Sequence, residues 1–102
     1  MIKTFKTSDD FNHFLLTEKT FMHETIVNAI EYSFYMKEDY AAVLEAYVEE
    51  KANSFMIGVN KPEWIVSLEK ALAYFEKEEE YEMCEVVFTL IKEIKSEPNF
   101  FE

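Results

Sequence analysis

From Pro62 to Lys95 apolar residues recur in steps of three and four: Trp64, Ile65, Leu68, Ala71, Leu72 and Phe75, then Cys84, Val87, Phe88, Ile91 and Ile94. Steps of that size put each set on one face of a helix. The acidic run Glu78, Glu79, Glu80 separates them, so the stretch predicts two helices folded back on each other. Similar patterns precede it. Phe11, Phe14 and Leu15 predict a short helix from Asp9 to Glu18, capped by Thr7 or Ser8 and favoured by Asp9 and Asp10 at its positive end. Met22, Ile26, Val27, Ile30 and Phe34 predict a second helix from Phe21 to Met36, with Thr20 as its cap. Tyr40, Val43, Leu44, Tyr47 and Val48 predict a third from Asp39 to Ala52, where Ala41, Ala42 and Ala46 add helix propensity.

The remaining segments break this periodicity. Residues Met1 to Lys6 alternate at Ile2 and Phe5, which suits a short strand or an extended arm. Asn53 to Lys61 holds the single glycine, Gly58, and runs into Pro62, a residue favoured in the first helical turn; it predicts an apolar linker that packs across the open end of the bundle, forms a short strand beside the N-terminal arm, or stands exposed as a docking loop. Pro98 ends the last helix and leaves a tail whose Phe100 and Phe101 either tuck back onto the bundle or form a short linear motif for another protein. The pattern therefore predicts an all-α single domain: a small bundle of about five helices built from two consecutive hairpins, 21–52 and 62–95, with linker 53–61 and tail 96–102. The hairpins also align with each other, Phe34, Tyr40, Val43, Tyr47 and Lys51 matching Phe75, Tyr81, Cys84, Phe88 and Lys92, as an internal repeat would.

Composition narrows the function more than the fold. In 102 residues, 10 basic side chains, all lysine, stand against 21 acidic ones, for a net charge of −11. Phosphate backbones and anionic membrane surfaces would be repelled, and the guanidinium suited to bidentate phosphate or guanine contacts is missing, so direct nucleic-acid or membrane binding is not expected. A basic protein surface would be attracted. Cys84 stands alone and so predicts no internal disulfide and a cytoplasmic setting. No stretch approaches the roughly 20 apolar residues of a membrane span.

Candidates for chemistry are few. His13 and His23, with Asp10 and Glu24, lack both the HExxH and the Glu-x-x-His spacings, and predict surface histidines with no metal. Cys84 falls on a predicted buried face without a histidine nearby in sequence, which suits a core residue and not a nucleophile. One glycine cannot build a phosphate-cradling loop. No catalytic residue, metal or cofactor is expected. The carboxylates Glu76, Glu78, Glu79, Glu80, Glu82 and Glu85, relieved only by Lys77, form either a solvated corner or an array that engages a partner's cations. An EF-hand is excluded because alternating oxygen ligands and a central glycine are missing. Phe55 and Met56 in the linker, with Phe100 and Phe101 in the tail, are the candidate apolar contacts.

Leu68, Glu69, Leu72, Glu80, Tyr81, Glu82, Cys84, Val87 and Ile91 resemble the UVR motif, the helical hairpin of nucleotide-excision repair proteins and some protease adaptors. Phe88 and Thr89 depart from that motif's Arg-Asp pair. The resemblance implies a protein-protein contact. The hairpins are also similar to tetratricopeptide units, with an incomplete small-residue signature. Tyr40 to Glu50 and the preceding FMHETIVNAI resemble the small late-transcription coactivators of tailed phages, which implies RNA polymerase as a partner. Taken together, residues and resemblances predict a non-catalytic acidic module that engages a basic surface on a nucleic-acid-handling protein, as an inhibitor, nucleic-acid mimic or transcription modulator. The competing expectation is an adaptor or homodimer with an apolar interface.

Overall fold

The computed structural model describes residues 2–98 and 100. It is an α+β fold, in the order β1 (Ile2–Phe5), α1 (Ser8–Thr17), α2 (Lys19–Tyr35), β2 (Tyr40–Val48), β3 (Asn53–Asn60), α3 (Trp64–Lys77) and α4 (Tyr81–Ser96). The expected all-α bundle is therefore corrected: four helices accompany a three-stranded mixed sheet of order β1-β2-β3. β1 runs parallel to β2, pairing Ile2 with Glu45 through Phe5 with Val48, and β3 runs antiparallel to β2, pairing Tyr40 with Asn60 through Val48 with Asn53.

The third predicted helix is β2, and the predicted linker is β3. The reason lies at Val43. The β2–β3 register shifts between Ala42 and Leu44, a bulge that leaves Val43 without a direct partner. Ala41 is buried before it and Leu44, Ala46 and Val48 after it, while Val43 is buried as well. Two consecutive inward residues hide the strand's period of two and imitate helical spacing. β-Branched and aromatic residues at Tyr40, Val43, Tyr47 and Val48 suit a pleated surface, and pairing on both sides outweighs the alanines' helix propensity.

The apparent repeat has a local cause. Lys37 and Glu79 both sit at φ 58, and the N–H groups of Glu38 and Glu80 donate to the carbonyls of Ser33 and Phe75, at 2.8 and 2.9 Å. Both corners are thus left-handed helix terminators that satisfy late carbonyls. After Glu80 the chain resumes helix; after Asp39 it enters β2. The terminator repeats and the hairpin does not.

α1, α2 and α3 pack against the sheet, and α4 packs on α3 and α2. Val27 and Ile30 of α2, Ala41 of β2, Trp64, Leu68, Ala71 and Phe75 of α3, and Val87, Leu90, Ile91 and Ile94 of α4 form one cluster. Burial of each large apolar side chain contributes about 1.5–3 kcal/mol. Trp64 also donates its indole N–H to the Val59 carbonyl at 2.9 Å, tying the start of α3 to the end of β3. The buried Ser33 hydroxyl donates to the Tyr40 carbonyl at 3.1 Å and ties α2 to β2 in the same way. Below this core, Phe5 meets Phe11 and Phe14 at centroid distances of 5.2 and 5.3 Å, and Phe14 meets Phe21 at 5.6 Å. Thr7 caps α1 by accepting from the Asp10 N–H at 3.1 Å.

The opposite face of the sheet carries exposed apolar side chains. Ile2 (68% exposed) and Met56 (54%) lie on it, together with Tyr40. The Tyr40 phenol crosses Gly58, where a Cβ would collide with it; this position requires glycine for lack of space. No helix among the described residues is long and apolar enough to cross a membrane.

Candidate functional site

The exposed stripe of α4 carries Glu82, Glu85, Val86, Thr89 and Glu93, spaced so that they line one side of the helix above the buried Leu90. The C-terminal half of α2 lies beside it and contributes Glu31 and Tyr35. Together these residues enclose a groove of about 450 Å³ with four carboxylates, an apolar floor of Val86 and Leu90, and no basic lining residue. The Tyr35 hydroxyl donates to the Glu93 carboxylate and bridges the two helices. That bond, then partial desolvation, then the charges of Glu93 and Glu31 push the phenol above its ordinary value of 10.0. Tyr35 therefore remains a neutral donor throughout the physiological range.

The predicted carboxylate array divides in three. Glu82 and Glu85 line the groove. Glu76 and Glu80 lie near Cys84, where burial first and then the Glu76 charge raise the thiol above its ordinary 9.0, with Glu80 adding to the rise. Glu78 and Glu79 stand exposed at the corner between α3 and α4. Glu31, Tyr35 and Glu93 were not among the sequence candidates. The α4 spacing could have found Glu93; nothing local in the sequence places α2 beside it.

The apolar candidates also separate. Phe55 (40% exposed) and Met56 are neighbours on β3 and so point to opposite faces of the sheet, Phe55 stacking on Phe11 at 6.3 Å. Phe100 is buried against Trp64 at 6.0 Å, with the Lys61 ammonium 5.1 Å from its ring centre, and cannot serve as an exposed contact. Phe101 lies outside the described residues. A second cleft of about 430 Å³, over Trp64 and Phe100, is rimmed by Lys37, Lys61, Glu38 and Glu97; two ammonium and two carboxylate groups leave it without a charge preference.

His13 is exposed, whereas His23, expected at the surface, is half-buried and stacks on Tyr74 at 4.5 Å. Burial first, then the Lys19 charge, hold the His23 imidazole below its ordinary 6.5, and its Nδ1 is buried without a hydrogen-bond partner. Among the described residues no three His, Cys, Asp or Glu side chains converge as metal ligands would. With the Cys84 thiol protonated and His23 packed on a ring, neither group is set up to attack or to transfer a proton. The arrangement can instead present negative charge and apolar surface side by side. No family model, curated protein or solved structure matches this chain.

Proposed function

We propose that this protein is a non-catalytic acidic docking module, and that the groove between α2 and α4 receives a lysine- and arginine-bearing helix on the surface of another protein. One observation carries the proposal: four carboxylates share the groove with an apolar floor and no cation. A basic amphipathic helix would lay apolar residues on Val86 and Leu90 and set its ammonium or guanidinium groups against Glu31, Glu82, Glu85 and Glu93. The net charge of −11 adds long-range steering. Proteins that handle nucleic acid carry such basic surfaces, so the module would act in the cytoplasm as an inhibitor, mimic or transcription modulator. The UVR-like stretch from Leu68 to Ile91 spans α3 and α4 and is in keeping with a contact role.

The test is titration of the protein with a lysine-rich amphipathic helical peptide and with its glutamate-rich counterpart, at low and physiological salt. The lysine peptide alone should bind, and its affinity should fall as salt rises. The combined Glu82→Gln, Glu85→Gln, Glu93→Gln variant should weaken that binding by about tenfold, and Glu78→Gln with Glu79→Gln should leave it unchanged. Equal affinity for both peptides, or a groove variant that binds like the parent, would overturn the proposal.

A further inference from the structure

β3 is the outer strand of the sheet, and among the described residues no other strand pairs with its free edge. Such edges template further pairing, and proteins ordinarily blunt them with charge, proline or a covering element. β3 carries neither charge nor proline, and Asn53 to Met56 and Asn60 are exposed. Ala52 to Asn60 is the longest run in the chain without a charged or histidine side chain, in a protein of which 30% is charged.

The direction of the free backbone groups follows from the ladder. The Lys61 N–H donates to the Asp39 carbonyl at 2.9 Å, so Lys61 faces β2. Alternate residues of a strand point the same way, so Asn53, Phe55, Ile57 and Val59 also bond β2, and Ser54, Met56, Gly58 and Asn60 turn outward. The Ser54 N–H agrees with this, being bonded locally by Asn53 Oδ1 at 3.1 Å and not by β2.

We infer that this edge is a self-association surface: two copies pair β3 with β3 antiparallel about Ile57, joining two three-stranded sheets into one of six strands. The outward residues are symmetric about Ile57. Turning the strand end for end therefore sets Met56 against Gly58 of the second copy and Ser54 against its Asn60, so that each outward backbone group meets a partner. Met56 then lies beside the Tyr40 phenol that crosses Gly58, and polar meets polar. On the helix-covered face Phe55 adjoins Val59 of the second copy, and the two Ile57 side chains meet on the axis. A like-charged partner is acceptable here because the edge itself bears no charge; carboxylates farther away repel weakly once salt screens them beyond roughly 8–10 Å. This surface is distinct from the α2–α4 groove and does not depend on it.

Sedimentation equilibrium over a range of protein concentrations tests the inference. A dimer should form and should tighten as salt rises, the reverse of the groove's response. Met56→Pro removes an outward N–H without touching a β2 bond, and should give a monomer whose far-UV circular dichroism is unchanged. The register has an independent test: Ile57→Cys in a Cys84→Ala background should oxidise to a disulfide-linked dimer, because a directly opposed non-hydrogen-bonded pair lies within disulfide reach. A parent protein that stays monomeric at every concentration and salt, or an Ile57→Cys chain that fails to cross-link, would overturn the inference, whatever the proline variant does.

Discussion

The α2–α4 groove and the β3 edge are both open to solvent, yet they are opposite in kind. The groove offers side chains, four of them carboxylates, and recognises by charge and by an apolar floor. The edge offers backbone, with no charged residue from Ala52 to Asn60, and recognises by hydrogen-bond direction and strand symmetry. Their responses to salt should therefore have opposite signs. In a chain of −11, keeping charge off one long strand while gathering carboxylates from Glu76 to Glu85 would let the proposed contacts with a copy of itself and with a basic protein proceed without competition.

The most severe way to break this comparison is Trp64→Ala. It empties a core position and removes the bond to the Val59 carbonyl, and should cost about 3–5 kcal/mol in urea unfolding. Because Trp64 anchors the end of β3, dimerisation should weaken at protein concentrations where the fold persists, whereas the groove, built on α2 and α4, should hold its peptide longer. Loss of both at the same point in a titration would show that the two surfaces are one cooperative unit.

Next in size is the reciprocal pair of surface variants. The triple glutamine variant of Glu82, Glu85 and Glu93 should weaken lysine-peptide binding by about tenfold, since exposed charge pairs contribute about 0.2–1 kcal/mol each. Its dimerisation constant at physiological salt should match the parent's. Met56→Pro should do the converse. A variant that moves both constants contradicts the separation.

Acid provides a smaller lever. The folded protein holds the His23 imidazole below its ordinary 6.5, so the unfolded chain takes up that proton first as pH falls. The stability contribution is fully present above about pH 6.5 and is lost progressively below it. Urea midpoints at pH 8 and at pH 5.5 should differ in the parent and differ less in His23→Phe. His23 joins α2 to α3 through Tyr74 and Phe75 and lines neither surface, so acid should lower stability before it changes either affinity.

The smallest expected effect is that of Tyr35→Phe. Removing the hydroxyl frees Glu93 to swing, and should lower the urea midpoint only slightly. Tyr35 is pushed above 10.0, so its contribution is present below pH 10 and is lost as pH rises through the folded value. Spectrophotometric titration of the phenols should lose one late-titrating group in the variant.

How much of this was legible in the chain differs by element. The start of α1 at Thr7 and the pair α3 and α4 were readable because a cap and a three-and-four spacing are local signals. The carboxylate run from Glu76 to Glu85 was readable as charge, and the lack of charge from Ala52 to Asn60 was equally plain. Alternation at Ile2 and Phe5 allowed a strand at β1 and the apolar run from Asn53 allowed one at β3, but β2 was hidden. β2 takes its identity from Ile2–Phe5 on one side and Asn53–Asn60 on the other, and its bulge at Val43 replaces alternation with an imitation of helical spacing. Nor could spacing say which glutamates converge, since Glu31 and Tyr35 reach α4 only through the packed core.

The amino-acid sequence alone thus determined the capped start of α1, the helical pair α3 and α4, and which segments are acidic or uncharged, because each depends on residues within a few turns of one another. The tertiary structure alone decided that Tyr40–Val48 is a strand, that Phe100 is inside, and that a groove and an open edge are the surfaces on offer. Those outcomes depend on hydrogen bonds and contacts between residues tens of positions apart, whose cost in chain entropy is met only when the whole fold forms.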